Sequence, residues 1–378
     1  MSQVIIEEKK LQHNIDIIKE RVKEIADDKG TPLKIIAVLK GNGYGMGAEL
    51  LGKKLLDNNI DFFAVTEVEE AIELRNKGFT NEILVLNSTC IKEEILQIVE
   101  NDLTATVGSI ESIKFLNEVA SQNSKEIKCH LKIDSGFCRF GFCIKDIEDN
   151  NVLTKIKEVL INSKNIKLSG TYSHFQESYS NDDKTTRKQL DKFLNCVAKL
   201  KKVGIDTGIL HICNSSAFFK YKEMYLNAVR IGSAFSGRLQ ISNATGLQRV
   251  GYLESQICEI KDLEKGEKIG YSGTYKLKKD TKVAIVEAGY VDGIGVSGPK
   301  DSVRIIDKFR TLKRDLIFLK KDGTRYVEIN EKKYPILGRI GMKNFIVDIT
   351  NSEIKVGDKV KIDINLVLTS QKIKRTLI

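Results

Sequence analysis

A lysine at position 40 stands between an apolar run and a glycine-rich segment. The run LKIIAVL (33–39) is typical of a buried strand, and glycines occupy positions 41, 43, 45 and 47 directly after Lys40. Because each glycine costs about 1 kcal/mol of additional ordering entropy, this pattern indicates a backbone that approaches a ligand closely. A lysine held at a strand end can lose its proton when it is desolvated, and it can then act as a nucleophile or a base.

A nucleotide fold is one interpretation of this segment. GYGMGA (43–48) fits the G-x-G-x-x-A fingerprint of dinucleotide-binding folds, and Glu67 follows about 20 residues on, after the next strand candidate. A Walker loop is excluded, since no Lys-Ser or Lys-Thr follows the glycines. The dinucleotide interpretation predicts a doubly wound sheet, and it leaves Lys40 without a role.

The pattern of elements along the chain favours a different fold. Eight β-rich runs alternate with helical patterns up to residue 232: KIIAVL, DFFAV, EILVLN, LTATVG, IKCHLKI, IKLSGTYSH, GILHIC and NAVRIG. Such alternation requires parallel strands, and eight strands in about 200 residues match a closed (β/α)8 barrel. We therefore predict an α/β protein with a (β/α)8 TIM barrel (1–237) followed by a mostly β C-terminal domain (238–378). A strand at residues 3–7 is a candidate to join the sheet of the second domain.

In such barrels the chemistry lies at the carboxyl ends of the strands. Polar residues at or just after these ends are Lys40, Lys132, Asp134, His174, Asn214, Ser215, Arg230, Gly232 and Ser233. The loops after strands seven and eight commonly bind phosphate in this fold, and their hydroxyl and N–H groups suit an anion. A phosphate site opposite a nucleophilic lysine predicts pyridoxal 5'-phosphate as the cofactor.

Composition narrows the class of protein further. Lys and Arg number 61 against 51 Asp and Glu, a net charge of +10, but no basic run is interleaved with aromatic residues, so we expect no nucleic-acid partner. No stretch approaches 18 apolar residues and the N-terminus lacks an apolar signal core, so we expect no membrane partner and a cytoplasmic protein. The seven scattered cysteines predict free thiols rather than disulfides or a metal site.

Seven motifs resemble those of the alanine racemases in order and in spacing. They are AVLKGNGYGMG, LKIDSGFCRFGF, GTYSHF, HICNSSA, VRIGSAFSG, KIGYSGTYKLKKDTKVAIVEAGYVDG and YPILGRIGMKNFIVDIT. The resemblance covers nearly the whole chain. It implies an isomerase that uses pyridoxal phosphate to interconvert L- and D-alanine, a cell wall precursor. It also implies a homodimer with shared active sites and a small amino acid as substrate.

The resemblance assigns the two proposed bases. Lys40 corresponds to the lysine that carries the cofactor and exchanges a proton with one face of the substrate Cα. Tyr271 corresponds to the tyrosine that serves the other face and comes from the partner subunit. Two bases on opposite faces are needed because one removes the α-proton and the other returns it inverted. The further cofactor contacts that the resemblance implies are Tyr44, His174, Asn214, Ser215, Arg230, Gly232 and Ser233.

The resemblance also assigns residues around the substrate carboxylate. Arg139 and Met342 correspond to its contacts, and Lys132 to a lysine that is often carbamylated and orients the arginine. His174 corresponds to a histidine that hydrogen-bonds the tyrosine. The resemblance places Arg230 beside the pyridine nitrogen of the cofactor, and we expect His211 to support Arg230 by a hydrogen bond. Because Lys132 and Arg139 carry like charge, an anionic modification or a carboxylate neighbour is expected between them.

Four positions in three segments depart from the pattern of the family. Gln371 replaces a C-terminal tyrosine that touches the cofactor phosphate, Gly341-Met342-Lys343 replaces Cys-Met-Asp, and Met46 replaces a histidine. These changes leave alternatives open: a racemase of serine or of a broader amino acid range, an amino acid decarboxylase on the same fold, or a non-catalytic cofactor-binding homologue. The glycine triplet and catalytic cysteine of the decarboxylases are not found, and Tyr271 argues against the non-catalytic alternative.

Overall fold

The computed structural model describes residues 2–239, 241, 245–297, 308, 309, 311–313, 316 and 325–378. The chain divides into two compact units, residues 9–250 and residues 1–8 together with 251–378. The first unit extends to residue 250, whereas the sequence prediction ended the first domain at 237. Hydrogen bonds explain the longer unit, because the Asn14 side chain donates to the Gln248 carbonyl at 2.7 Å and accepts from the Gln248 N–H at 2.7 Å.

The strands are, in chain order, β1 (Gln3–Ile6), β2 (Lys34–Val38), β3 (Phe62–Val65), β4 (Ile83–Ser88), β5 (Thr104–Val107), β6 (Ile127–Asp134), β7 (Phe142–Cys143), β8 (Ile166–Tyr172), β9 (Ile209–His211), β10 (Ala228–Ile231), β11 (Gly251–Leu263), β12 (Lys268–Ile269), β13 (Tyr275–Lys276), β14 (Thr281–Val286), β15 (Tyr326–Ile329), β16 (Lys332–Leu337), β17 (Phe345–Asp348), β18 (Lys359–Ile362) and β19 (Arg375–Leu377). The helices are α1 (Glu8–Lys29), α2 (Lys40–Tyr44), α3 (Ala48–Leu56), α4 (Val68–Asn76), α5 (Lys92–Glu100), α6 (Ile110–Gln122), α7 (Ile144–Glu148), α8 (Asn150–Asn162), α9 (Lys184–Lys202) and α10 (Ser215–Lys220).

The unit of residues 9–250 is a closed parallel barrel. Strands β2, β3, β4, β5, β6, β8, β9 and β10 pair each with the next in parallel. Strand β10 returns to β2, with Arg230 opposite Ile36, and this pairing closes the sheet. The predicted TIM barrel is therefore confirmed, and the doubly wound sheet is excluded because an open sheet would leave two edge strands.

The longer helices of this unit each bury one apolar face. In α1 the buried residues Leu11, Ile15 and Ile18 recur every three to four positions, which is the spacing of one helix face. Ser109 caps the start of helix α6, and its hydroxyl accepts from the Ser112 N–H at 3.1 Å. Among the described helices of the chain, none combines the length and apolar character of a membrane-crossing segment.

The second unit is built mainly of antiparallel strands, as predicted for the C-terminal domain. The long strand β11 pairs with β14 and β18, and β14, β17, β16, β15 and β18 complete a closed ring with it. Strand β1 pairs antiparallel with the first part of β11, from Gln3 opposite Glu254 to Ile6 opposite Gly251. Strand β19 runs parallel to β1 at the sheet edge.

Candidate active site

Lys40 follows β2 at the carboxyl end of the strand, and the chain after it makes a left-handed turn. Gly41, Asn42, Gly43 and Tyr44 have φ values of 60°, 52°, 63° and 53°. Glycine adopts this conformation readily and asparagine tolerates it better than most residues, so the alternating glycines are required by the backbone conformation itself. The backbone conformation is therefore a local reason for glycine at positions 41 and 43, and the expectation that these glycines let a ligand approach the backbone stays a prediction.

The carboxylate of Glu70 fixes the start of this turn. It accepts hydrogen bonds from the Gly41 N–H at 2.5 Å and from the Thr66 N–H at 2.9 Å. Lys40 is half-buried. Burial lowers its pKa, and the charges of Arg139 and Arg230 act in the same direction, whereas Glu70 acts in the opposite one. The amine of Lys40 is thereby more easily obtained in its neutral, proton-accepting form than an exposed lysine would be.

Lys132, at the end of β6, adds another positive charge to this end of the barrel. Its Nζ donates to the Leu86 carbonyl at 3.2 Å and lies over the rings of Tyr172 and Phe140, at 5.1 and 5.3 Å from their centroids. Burial, followed by the charges of Arg230 and Arg139, lowers the pKa of Lys132 to about 7. The cluster of Lys40, Lys132, Arg139 and Arg230 therefore suits an anionic ligand.

Asp134 organises the loop that carries Arg139. Its Oδ1 accepts from the N–H groups of Gly136, Phe137 and Cys138 at 2.8–3.0 Å, and its Oδ2 accepts from the Arg139 N–H at 2.9 Å. The net effect is a lowered pKa for Asp134 although partial burial opposes it. The hydrogen bonds of Asp134 therefore hold the Arg139 loop, while its charge raises the pKa of Lys132 against the larger lowering effects, as expected of a carboxylate neighbour.

Tyr44, Ser215 and Gly232 converge at the ends of the first, seventh and eighth barrel strands. The Gly232 N–H donates to the Ser215 hydroxyl at 3.0 Å. A Cβ at Gly232 would stand 2.3 Å from Cε2 of Tyr44 and 2.8 Å from its hydroxyl, so only glycine fits against this ring. Asn214 begins α10, and its Oδ1 accepts from the Ala217 N–H at 3.0 Å and from the Ser178 hydroxyl at 2.8 Å. Ser233 is half-buried beside Gly232.

Arg230 lies buried on β10 and is held by neutral acceptors. Its Nη1 donates to Nδ1 of His211 at 2.7 Å, and its Nη2 donates to Nδ1 of His174 at 3.0 Å and to the Ser173 carbonyl at 2.8 Å. Burial lowers the pKa of Arg230 to about 10. Burial and the charge of Arg230 push the pKa values of His174 and His211 well below 6.5.

Comparison with known proteins decides the family. The family models for the alanine racemase N-terminal and C-terminal domains match residues 6–240 and 250–367. An alanine racemase of Methanococcus maripaludis is 32% identical over 354 residues, which cover 92% of this chain and 87% of that protein. One from Borreliella burgdorferi is 32% identical over 365 residues, covering 95% and 87%. The chain belongs to the alanine racemase family.

Solved alanine racemase structures share the fold. That of Clostridium difficile 630 has a TM-score of 0.82 at 27% identity and covers 100% of this chain and 95% of its own. That of Bacillus anthracis, with bound L-Ala-P, has a TM-score of 0.77 at 26% identity with the same coverage. The resemblance expected from the seven motifs is therefore confirmed at the level of family and fold.

Two residues that the alanine racemase resemblance singles out belong to the second compact unit. Tyr271 stands in a short 3-10 turn (Tyr271–Gly273), and its side chain is 71% exposed. Met342 is 55% exposed, and its carbonyl accepts from the Val291 N–H at 3.4 Å. The neighbouring Lys343 pairs at 2.8 Å with the buried carboxylate of Asp292. A Cβ at Gly341 would lie 3.8 Å from the Tyr271 ring, so the turn of Met342 is adjacent to that of Tyr271.

Sequence reasoning missed Glu70 and gave His130 no role. Glu70 could have been recognised, because it is the third residue of α4, where a carboxylate often accepts a hydrogen bond from the residue that caps the helix, here the Glu67 N–H. His130 lies buried in the barrel interior, with its Nδ1 2.9 Å from Nε2 of His211. No local sequence signal identifies this contact, because the two histidines are on strands that only the barrel brings together.

Proposed function

We propose that the protein is a pyridoxal-phosphate-dependent racemase that interconverts L- and D-alanine by a two-base mechanism and works as a homodimer. The main structural support for the proposal comes from the barrel. Lys40 has a lowered pKa and stands at the same strand ends as the Tyr44, Ser215 and Gly232 group. Membership of the alanine racemase family, over both domains, supports the substrate and the reaction.

The residues present fit the cofactor. Pyridoxal phosphate is an anion with an aromatic ring and a carbonyl carbon that a primary amine attacks. Four cationic side chains stand at this end of the barrel, with Glu70 and Asp134 as nearby carboxylates, both bonded to backbone N–H groups. The uncompensated positive charge matches a phosphate group. Tyr44, Ser215, Gly232 and Ser233 would hold this phosphate, and Lys40 would bind the cofactor covalently.

The cofactor supplies a conjugated electron sink that makes the substrate α-proton acidic. Lys40 then serves as the base on one face, since its lowered pKa favours the neutral amine that accepts a proton. Arg230 would stand at the ring nitrogen as a donor that keeps its own proton, because a guanidinium does not deprotonate readily. Arg139 would bind the substrate carboxylate, with Asp134 holding its loop and Lys132 orienting it.

Tyr271 serves the opposite face from the partner subunit. Its 71% exposure is consistent with a side chain that is completed by another surface. When Lys40 removes the α-proton from one face, the Tyr271 phenol donates a proton to the other face, and the roles reverse for the other enantiomer. The configuration at Cα is inverted because the two transfers occur on opposite faces. Met342, on the turn next to Tyr271, would contact the substrate carboxylate through its backbone.

Chemical trapping tests the cofactor site. The purified protein should be yellow, and borohydride should fix the cofactor irreversibly onto Lys40, as seen by mass spectrometry of its peptide. Lys34 begins the same strand, is exposed and offers an internal control that should remain unlabelled. Attachment to another lysine, or a protein that binds no pyridoxal phosphate, would refute the assignment.

Mixing of inactive variants tests the shared site. Lys40→Ala chains and Tyr271→Phe chains should each be inactive alone, and their mixture should regain activity once subunits exchange. A mixed dimer contains one site with both bases intact and one with neither. Lack of recovery despite demonstrated exchange would exclude a site shared between subunits. A chiral assay of alanine, serine and other amino acids identifies the substrate, and preference for an amino acid other than alanine would overturn that part of the proposal.

A further inference from the structure

Three buried side chains form a line of hydrogen bonds from the barrel interior to the candidate site. His130 on β6, His211 at the end of β9 and Arg230 on β10 are each at most 3% exposed. Nδ1 of His130 lies 2.9 Å from Nε2 of His211, and Nδ1 of His211 lies 2.7 Å from Nη1 of Arg230. Both nitrogens of His211 are therefore used, one towards each neighbour.

Arg230 determines which atom donates and which accepts in each of these hydrogen bonds. A guanidinium has only donors, so Nδ1 of His211 must accept and the proton of the neutral ring must sit on Nε2. That N–H can only donate to Nδ1 of His130, whose own proton then sits on Nε2. A cationic ring would place two donors face to face. Burial and the charge of Arg230 disfavour that state, because they lower the pKa of His130 to about 3.

The tautomer of His211 matters because Arg230 relies on neutral acceptors. In the described part of the chain no carboxylate pairs with Arg230, and its partners are two histidine rings and backbone carbonyls. If the His211 proton moved to Nδ1, it would point at the guanidinium, and a buried donor would lose its acceptor. An acceptor at Nε2 is what prevents this exchange.

The fold reserves space for His130 at this position. A Cβ at Gly170 on the neighbouring strand β8 would stand 2.6–2.7 Å from three atoms of the His130 ring. The Tyr172 ring stacks on His211 at 4.7 Å with an angle of 6° between the planes, which sets the plane of that imidazole. Nε2 of His130 is buried without a partner in the described structure, so His130 is not explained as a fully satisfied core residue.

We propose that His130 is a positioning residue for Arg230: as the acceptor for Nε2–H of His211, it holds His211 in the tautomer that receives the guanidinium. Its effect on racemisation rests on the proposed function, whereas the tautomer of His211 does not. His130 acts through His211 and Arg230.

Solid-state ¹⁵N NMR of the full-length, ¹⁵N-histidine-labelled protein tests this directly. The chain has four histidines, so that single substitutions assign the ring signals. We expect the wild-type His211 to carry its proton on Nε2 only. His130→Asn keeps an acceptor where Nδ1 stands, and His130→Leu removes it at similar size. The Asn variant should preserve the single tautomer, and the Leu variant should show a mixture.

Kinetics supply the second readout. The kcat/KM of His130→Leu should fall about tenfold, the effect of one lost buried hydrogen bond, and that of His130→Asn should stay within about threefold. His13→Gln, at a half-buried histidine that contacts the Gly246 carbonyl, should change neither readout. A wild-type His211 protonated on Nδ1 would overturn the proposal even if the Leu variant fails to fold, as would equal spectra of all three proteins. The expected spectra in a protein that racemises nothing would support the tautomer and refute the proposed function.

Discussion

The two proposed bases stand on similar turns in opposite surroundings. Lys40 is followed by four left-handed residues, and Tyr271 is flanked by Gly270, Ser272 and Gly273 with φ values of 73°, 61° and 52°. The Lys40 turn is tied down by Glu70, and Lys40 itself is half-buried among positive charges that lower its pKa. Tyr271 is 71% exposed. Residues of the barrel thus lower the pKa of Lys40, whereas the phenol of Tyr271 is exposed.

This difference has a physical consequence for substitutions. Groups at the barrel end share one electrostatic environment, so removing one changes the charge or position of others. A side chain that is exposed in the single subunit has few partners within its own chain, so its substitution should affect chemistry with little effect on the stability of that subunit. When activity and melting temperature are measured on the same variants, substitutions in the barrel should therefore change both quantities. Substitutions of residues that are exposed in the subunit should mainly change activity.

The largest effect is expected from Lys40→Ala. The variant loses both the covalent attachment of the cofactor and one base, so kcat/KM for either enantiomer should fall by about 10⁴-fold or more, the upper end for a positioned acid or base. Chiral chromatography of the product measures it. Lys34→Ala, at the exposed start of the same strand, is the matched control and should retain activity. Activity of Lys40→Ala within tenfold of the wild type would contradict its role.

Tyr271→Phe should be the cleanest test of the exposed side of the comparison. Racemisation should fall by at least about 10²-fold, the low end for a general base, while the melting temperature should change little because Phe keeps the ring and loses only the hydroxyl. Loss of the α-proton to heavy water should persist for the enantiomer that faces Lys40 and nearly vanish for the other. Tyr275→Phe, 38% exposed on β13, is the control. Equal exchange from both enantiomers would exclude the two-base mechanism.

Asp134→Asn should weaken substrate binding through the Arg139 loop. The carboxylate accepts four backbone N–H bonds, and an amide offers one oxygen in place of two. We expect KM for alanine to rise about tenfold, with a smaller change in kcat, as charge-assisted bonds are lost. Asp146→Asn is the control, because that carboxylate caps α7 through the Cys143 N–H at 3.0 Å. An unchanged KM would show that Arg139 is positioned by other contacts.

The pKa of Lys132 predicts a pH-dependent stability in carbon-dioxide-free buffer. Its pKa drops from 10.5 to about 7 on folding, so between these values the unfolded chain binds more protons and stability rises with pH. Burying the protonated amine of Lys132 destabilises the folded state, and Lys132→Met removes this cost. Its melting temperature should exceed that of the wild type at about pH 6, and the gain should shrink by about pH 9. Lys128→Met, on the same strand at a surface pair with Glu82, should show no such trend. A Met variant that is less stable at both pH values would indicate a negative group on Lys132.

The barrel was predictable from the sequence because its signals are local. Each strand, from KIIAVL to NAVRIG, is a short apolar run followed by a helical pattern, and closure then follows from the number of runs. The position of Lys40 at a strand end followed from the same alternation. The left-handed turn at residues 41–44 is less predictable, since glycine at alternate positions indicates ligand approach and a left-handed backbone equally well.

The connections between distant strands were not predictable. The carboxylate of Glu70 bonding to Gly41, or His130 bonding to His211, depends on which strands become neighbours and on the direction of each side chain. The need for a negative partner near Lys132 was inferred from charge alone. The structure assigns the nearby carboxylate of Asp134 to four backbone N–H groups, and a single sequence contains no signal for that choice.

The smallest effect is expected at Gln371, where the family has a tyrosine. Gln371 is exposed in the second unit, and its carbonyl accepts from Arg375 at 2.9 Å. Because the resemblance aligns it with a phosphate contact, Gln371→Tyr should lower the Kd for pyridoxal phosphate by about three- to tenfold, the value of one neutral hydrogen bond. The larger ring should also lower the turnover of serine relative to alanine. Equilibrium dialysis of the cofactor and a chiral assay with both amino acids measure the two effects.

Lys372→Tyr places the same ring one exposed residue further along and should change neither quantity. An unchanged Kd and an unchanged serine-to-alanine ratio in Gln371→Tyr would show that this position controls neither cofactor retention nor specificity. If Gln371→Tyr changed the melting temperature of the protein without cofactor, the contrast drawn between buried barrel residues and exposed residues would be contradicted. It would mean that substituting this exposed residue affects stability as much as substituting Lys40 and its neighbours.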